Sequence, residues 1–465
     1  LTSYTPDHPL ILLTDFSPDA GGGDAVILRN FMDPETRRSI VWVTLTPGGV
    51  SATSPTIDER VVVLKGGPKA TVPRKRRSLF LDSTTLSWRL AEEVRKIAQE
   101  HRARGIWIVM YGATVPIASH LVKHGELPVV ATVHDDPAFG VALRSRRYLV
   151  LVPLIERAFA KALKDAAGVE VISRGMMERY KKRYGVIAIL GNRVVAPFVA
   201  VPAPFSKDGK ILRIGVLGNT YSYSPLRVLG RTVARAADDL GLRGELVFVG
   251  LGHAERLRAE LGGLISIVSV GHVEEAKAAA VLRGTFLQYL VYPFGWRDRV
   301  LRQTSFPCKL ATYIMAGRPL LLHASADSTT AELATIPGLS YHWDDLNVEH
   351  GVQLLKKAWA DPVTSLGAHG ALEEVRRRYY DLDTIKTNLM GMLDAMVGPL
   401  TEESQPSPRP ISTSIQTAGV SSTPSTLSAD LRSPNLFPSC ISRQYPVIGR
   451  RSADGLGPVV DRWGD

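Results

Sequence analysis

The sequence predicts an α/β protein built from two parallel-sheet domains and followed by a disordered tail. Three observations carry this. Apolar strand-like runs alternate with helix-period segments throughout residues 10–345, the pattern of parallel strands joined by crossover helices. A chain of 465 residues is too long for one simple core. In residues 399–465 Ser, Thr and Pro dominate and periodicity is lost, so too little apolar surface is available to offset the entropy of ordering.

Taken in order, the strands of the first unit read Leu10–Phe16, Ser39–Leu45, Arg60–Leu64, Ile106–Tyr111, Val129–His134 and Val169–Ser173. Between them, Trp88–Arg102 is an amphipathic helix with Leu90, Val94 and Ile97 on one face, and Leu149–Ala166 is a second helical stretch. The Pro-rich stretch Pro197–Pro204 is the linker. A new unit begins with the strand Leu212–Gly218 and the helix Pro225–Leu240. Strands 245–250 and 265–270, the helix Glu274–Arg283 and the stretch Thr285–Phe294 follow. Val348–Ala360 and Ala371–Met396 read as helices. The expected division is 1–204, 205–370, a C-terminal helix at 371–398 that crosses back to the first domain, and the tail at 399–465.

Composition narrows the class. Hydrophobic content of 45% and charged content of 22% are those of a globular, water-soluble protein. Cys308 and Cys440 are far apart and lack metal-site spacing, which fits a reducing, cytoplasmic setting. Leu10–Leu13 is a short apolar run without a basic prelude, so it reads as a strand and not a signal peptide. The longest apolar run near a helix, Leu149–Ile155, is well short of the roughly 20 residues a membrane span needs. The formal net charge is +11, and the tail carries similar numbers of both signs, so the excess lies in the folded part. Three clusters stand out: Arg74, Lys75, Arg76 and Arg77; Arg144, Arg146 and Arg147; and Lys181, Lys182 and Arg183. Each is a solvated face, or together they draw the protein to an anionic membrane surface at about 1 kcal/mol per basic residue. No nucleic-acid recognition motif accompanies them, and no nucleic-acid partner is expected.

The most informative segment is Thr304–Pro319 running into Leu320–His323. It reads as loop, helix start, short helix, glycine stop and buried strand. Ser305 suits an N-cap and Pro307 the first turn. Leu310 and Ile314 share one face, Gly317 stops the helix and Pro319 forbids its continuation. Free amides, the positive end of the dipole and Lys309 then make a site for an anion such as a diphosphate. An ordinary capped helix with a solvated lysine has the same local sequence.

As a whole the segment resembles the nucleotide-sugar-binding segment of retaining family 4 glycosyltransferases. There a Pro-x-Lys-x-x-Glu-Tyr-x-x-x-Gly-x-Pro run precedes a hydrophobic strand. The resemblance implies the GT-B fold, two Rossmann-like domains facing one another across a cleft. It implies transfer of a sugar from a nucleotide diphosphate to a glycan or lipid-linked acceptor, with retention of configuration and no metal or other cofactor. It further implies polysaccharide or cell-surface glycoconjugate synthesis in the cytoplasm, peripheral to the membrane.

The same resemblance assigns site residues. Gly21, Gly22 and Gly23 form the glycine loop after the first strand, which lies in the cleft. His134, at the end of the Val129–His134 strand, reaches the donor sugar and phosphate and is a catalytic candidate together with Lys309. Asp135 and Asp136 bind acceptor hydroxyls or cap the next turn. Gly218 and Asn219 close the first strand of the second unit, where family members carry Gly-Arg; Asn219 is a departure that leaves Lys309, backbone amides and Arg297 or Arg302 to neutralise the diphosphate. The family's two glutamates, eight positions apart, fall on Thr304 and Thr312. Thr312 shares the Lys309 face of the helix but lacks the carboxylate that grips the nucleotide ribose. Glu332 sits at the donor site or is an ordinary first-turn glutamate.

A leaving diphosphate needs stabilisation of growing negative charge, which a helix terminus, amides and Lys309 supply. Closure of two domains excludes water. Neither a glycosidase carboxylate pair nor a G-x-S-x-G elbow is recognisable. Two other readings stay open: a non-catalytic GT-B-like binding or scaffold protein, suggested by Thr304 and Thr312, or another nucleotide enzyme such as a sugar epimerase or an NAD-dependent oxidoreductase.

Overall fold

The computed structural model describes residues 4–18, 28, 32, 34–45, 60–64, 86–137, 152–191, 196–218, 220, 222–250 and 253–397. Gly21, Gly22, Gly23, Arg74, Lys75, Arg76, Arg77, Arg144, Arg146, Arg147, Asn219 and the 399–465 tail lie outside the described residues, as does the side chain of Arg297.

Two parallel sheets form the framework. The first contains β1 (Leu10–Thr14), β2 (Ile40–Thr44), β3 (Val61–Val63), β4 (Gly105–Val109), β5 (Val129–Val133), β6 (Gly168–Val171) and β7 (Ile189–Leu190). The second contains β8 (Ile211–Leu217), β9 (Arg243–Val249), β10 (Ser266–Gly271), β11 (Leu287–Val291), β12 (Leu320–His323) and β13 (Ser340–Trp343). The orders are β3-β2-β1-β4-β5-β6-β7 and β10-β9-β8-β11-β12-β13. Both follow the Rossmann order, which reverses direction between β1 and β4 and again between β8 and β11. Ligands of such sheets lie outside the carboxyl ends of the strands, near the reversal.

Continuous apolar runs explain the central strands. Every residue of β1, β2, β4, β5, β11 and β12 is buried, as expected for parallel strands covered on both faces. The helix Ser87–Glu100 buries Leu90, Val94 and Ile97 in the core shared with the first sheet. Among the described residues no helix is long and apolar enough to cross a membrane.

The sequence suggested one helix over Ala371–Met396. The chain instead forms two, His369–Tyr379 and Leu382–Val397. Tyr380 leaves the helical region, and the Asp381 carboxylate accepts from the Thr384 amide (3.0 Å) and hydroxyl (2.7 Å), starting a new helix. The second of these helices lies on the first sheet. Tyr4 donates to the Leu393 carbonyl at 2.8 Å and Arg104 to that of Val397 at 3.2 Å. Gly168 on β6 leaves room for it: a Cβ there would fall 2.9 Å from Met392 Sδ.

The two sheets' domains also meet directly. The Ser173 hydroxyl accepts from the Met176 amide, capping the helix Arg174–Tyr184, and donates to the Thr304 carbonyl at 2.5 Å. Gly175 packs so closely that a Cβ would lie 2.1 Å from the Gln303 carbonyl oxygen.

Candidate functional site

The helix Lys309–Ala316 begins at Lys309 with Cys308 before it, and Cys308 makes no side-chain cap. Ser305 is not the N-cap the local sequence suggested. It ends a preceding helix, Arg299–Thr304, and its amide donates to the Leu301 carbonyl at 2.8 Å. The reason is non-local. Buried Arg302 donates to both Asp327 oxygens (2.7 and 3.1 Å) and to the Phe294 and Gly295 carbonyls, which closes a helical turn where a loop was expected. Arg302 is therefore committed to this fastening and not to a phosphate.

At its other end the helix behaves as the sequence implied. Gly317 takes φ 79°, where a Cβ would strike the Ala200 carbonyl at 2.3 Å, and Pro319 leads into β12. Tyr313 ties the helix to the sheet: its hydroxyl accepts from the Leu217 amide (2.9 Å) and donates to the Tyr289 carbonyl (2.7 Å). That bond fixes the end of β8, where Gly218 turns with φ 63° beside Gly250 at φ 95°. The first turn of the helix is thus held at the carboxyl edge of the second sheet. Burial pushes the Lys309 ammonium down to about 8, below the ordinary lysine range.

The two threonines at the family's glutamate positions have different fates. Thr304 is 1% exposed, and its hydroxyl donates to the Val300 carbonyl at 2.6 Å. It is turned into its own helix and does not line a donor pocket. Thr312 donates to Glu275 Oε1 at 2.9 Å. Glu275 opens the helix Glu275–Arg283, which follows β10 and packs beside Lys309–Ala316. Burial raises the Glu275 carboxyl above its ordinary value, and the Thr312 bond partly offsets this. Sequence reasoning missed Glu275: its pairing with Thr312 spans 37 positions, and no local pattern announces it.

Glu332 lies in the 3-10 helix Thr329–Thr335, 3.9 Å from Arg174 of the first domain. Both border a cavity of about 940 Å³ between the domains, whose walls include Arg179, Lys182, Arg299 and Asp327. In the first sheet, His134 follows β5 and is 3% exposed. Asp136 is buried against the helix Arg174–Tyr184, 3.6 Å from Arg179 and 3.5 Å from the Tyr180 hydroxyl, so it braces that helix. Asp135 is half-buried beside it. Lys181, Lys182 and Arg183 are exposed in the last turn of the same helix, and Arg183 pairs with Glu156 at 2.6 Å. The structure brings Lys309, Thr312, Gly218 and Glu275 to the second sheet's edge, and His134, Asp135 and Asp136 to the first's.

No family model matches the sequence and no curated protein matches it. Solved structures do match its shape. A UDP-forming α,α-trehalose-phosphate synthase from Burkholderia xenovorans superposes with a TM-score of 0.57 at 15% identity, over 84% of this chain and all of that one. The sucrose-phosphate synthase of Thermosynechococcus elongatus gives 0.55 at 15% identity, over 83% of this chain and 98% of that one. Anabaena HepE, solved with UDP and glucose, gives 0.54 at 11% identity, over 83% of this chain and 100% of that one. Sequence identity this low speaks to fold, and the fold is GT-B.

Proposed function

We propose that this chain is a glycosyltransferase that moves a sugar from a nucleotide diphosphate donor to a glycan or lipid-linked acceptor, with retention of configuration. The observation that carries it is the first turn of the helix Lys309–Ala316, held by Tyr313 at the carboxyl edge of the second sheet with a desolvated lysine. UDP-forming synthases and a UDP and glucose complex share the fold. In this reading the helix amides and Lys309 take up the charge that develops on the departing diphosphate, and no metal is needed for that task. The acceptor enters between the domains, past the basic wall of the Arg174–Tyr184 helix. Exposed Lys181 and Lys182 hold the protein at an anionic, cytoplasmic membrane face during synthesis of a polysaccharide or glycoconjugate.

Isothermal titration of the full chain with UDP, GDP and ADP tests the reading. Binding of one of them, weakened at least tenfold in Lys309→Ala, is the expected result. Failure of all three would overturn it. The commitment of the Thr304 hydroxyl to Val300 favours one second reading, a binding or scaffold protein of the same fold. That reading predicts nucleotide binding without turnover of any nucleotide sugar, in the presence of lipid-linked or soluble acceptors.

A further inference from the structure

We infer that Glu275 supplies the carboxylate that grips the ribose of the bound nucleotide, with Thr312 as the group that aims it. The inference rests on the donor-site reading above and names a residue for one part of it.

Position comes first. The helices Glu275–Arg283 and Lys309–Ala316 follow β10 and β11, so both start at the carboxyl edge of the same parallel sheet, where Rossmann domains hold nucleotides. They pack side by side. Glu275 is the first residue of one, and Thr312 stands one turn along from Lys309 on the other. A carboxylate and a phosphate-seeking ammonium therefore occupy the first turns of adjacent helices.

Chemistry comes second. An ionised carboxylate is purely an acceptor, with about four lone-pair sites on two oxygens. That suits a vicinal diol, which offers two donors side by side. Among the described residues Thr312 is the one hydrogen-bond partner of Glu275, and it engages Oε1. The half-buried carboxylate keeps Oε2 and much of Oε1 for further donors. Desolvation works against its charge, and the Thr312 bond recovers only part of that cost. Diol donors would recover the rest, so the group is better satisfied with a ribonucleotide than without. Thr312 lacks a carboxylate, and its hydroxyl spends its one donor on Glu275 Oε1, which orients that carboxylate.

The test compares ribonucleotides with their 2′-deoxy counterparts on the full chain, by isothermal titration with UDP, GDP and ADP and the matching deoxy compounds. For the nucleotide that binds, the wild type should prefer the ribo form at least tenfold. In Glu275→Ala that preference should fall to about one, through weaker ribonucleotide binding and unchanged deoxynucleotide binding. Glu275→Gln, which keeps the shape of the side chain, guards against misfolding and should lose most of the preference at an unchanged melting temperature. Thr312→Val should lose part of it. In donor turnover the loss should fall on KM and leave kcat intact. A ribo preference that survives in both Glu275 variants would overturn the assignment while leaving the donor site standing. Absence of binding by every nucleotide to the wild type would overturn the donor-site reading and this inference together.

Discussion

Raising the pH from 7 to 9 should weaken nucleoside diphosphate binding about tenfold, and Lys309 is the cause. Burial holds its ammonium at about 8, well under the ordinary lysine value. At pH 7 roughly nine-tenths of the free protein carries the charge, and at pH 9 roughly one-tenth. A bound diphosphate restores the ammonium toward its ordinary value of about 10.4, so binding at pH 9 must draw a proton from solution. The sign follows: a depressed lysine keeps its contribution below its free-state value, and binding loses it as pH rises through 8. The apparent Kd scales as one plus the ratio of neutral to charged lysine, which gives a factor of about ten between pH 7 and 9, or about 1.4 kcal/mol. Terminal phosphates titrate near pH 6, below this window. Titration calorimetry in two buffers of different ionisation enthalpy reads both the Kd and the proton uptake, which should approach one proton at pH 9. Lys309→Arg stays charged throughout and should bind with no pH slope. Lys309→Met should bind weakly with no slope. A wild-type Kd that changes less than twofold, or a slope that persists in Lys309→Met, refutes the reasoning.

Other perturbations have equally definite outcomes. In Gly175→Ala the new methyl would meet the Gln303 carbonyl at 2.1 Å and Thr329 Cγ2 at 2.6 Å. The domains should part at a cost of about 1–3 kcal/mol, seen as a larger radius of gyration in X-ray scattering and lower turnover; an unchanged profile would contradict the close packing. Arg302→Met removes four hydrogen bonds from a buried guanidinium. Because Asp327 stays partly in water, the loss should sit near the lower end for such pairs, about 3 kcal/mol, and thermal unfolding should show it. His323 is fully buried, stacked on Trp343 at 3.8 Å and bonded to Tyr289 and the Asp345 carbonyl; burial pushes it down to about 4. As pH falls below about 6.5 the unfolded chain takes up a proton that the folded one refuses. Stability should therefore drop by up to about 3 kcal/mol between pH 6.5 and 4 and then level off. Urea unfolding of wild type and His323→Asn at pH 7, 5.5 and 4.5 should show that slope only in the wild type.

What the sequence made legible was the part that rests on local pattern. The apolar runs of β1, β4, β5, β11 and β12 stand out because buried parallel strands need no alternation. The end of the Lys309–Ala316 helix was legible because Gly317 and Pro319 each impose a backbone conformation by themselves. Its beginning was not. Ser305 looks like a cap, but distant Asp327 reaches Arg302 and extends the previous helix through Thr304. β7, two residues long, offers too little pattern to see. The break at Tyr380 was missed although Asp381 and Thr384 spell a cap, because the helical periodicity on either side is unbroken. In the candidate site, Lys309 and Thr312 stand out in the sequence through the resemblance of their segment to the family pattern. Glu275 does not, since a partner 37 positions away is brought near only by the packing of two helices.

The helix Leu382–Val397 has a consequence for how the molecule is made. It covers Gly168 on β6, and its backbone receives Tyr4 and Arg104 from the first domain. The first sheet therefore lacks a piece of its covering until the second domain's strands have all been synthesised. During that interval the second domain, whose own sheet is complete by Trp343, can fold first. Completion of the first domain thus waits on a segment separated from it in the chain by the whole of the second.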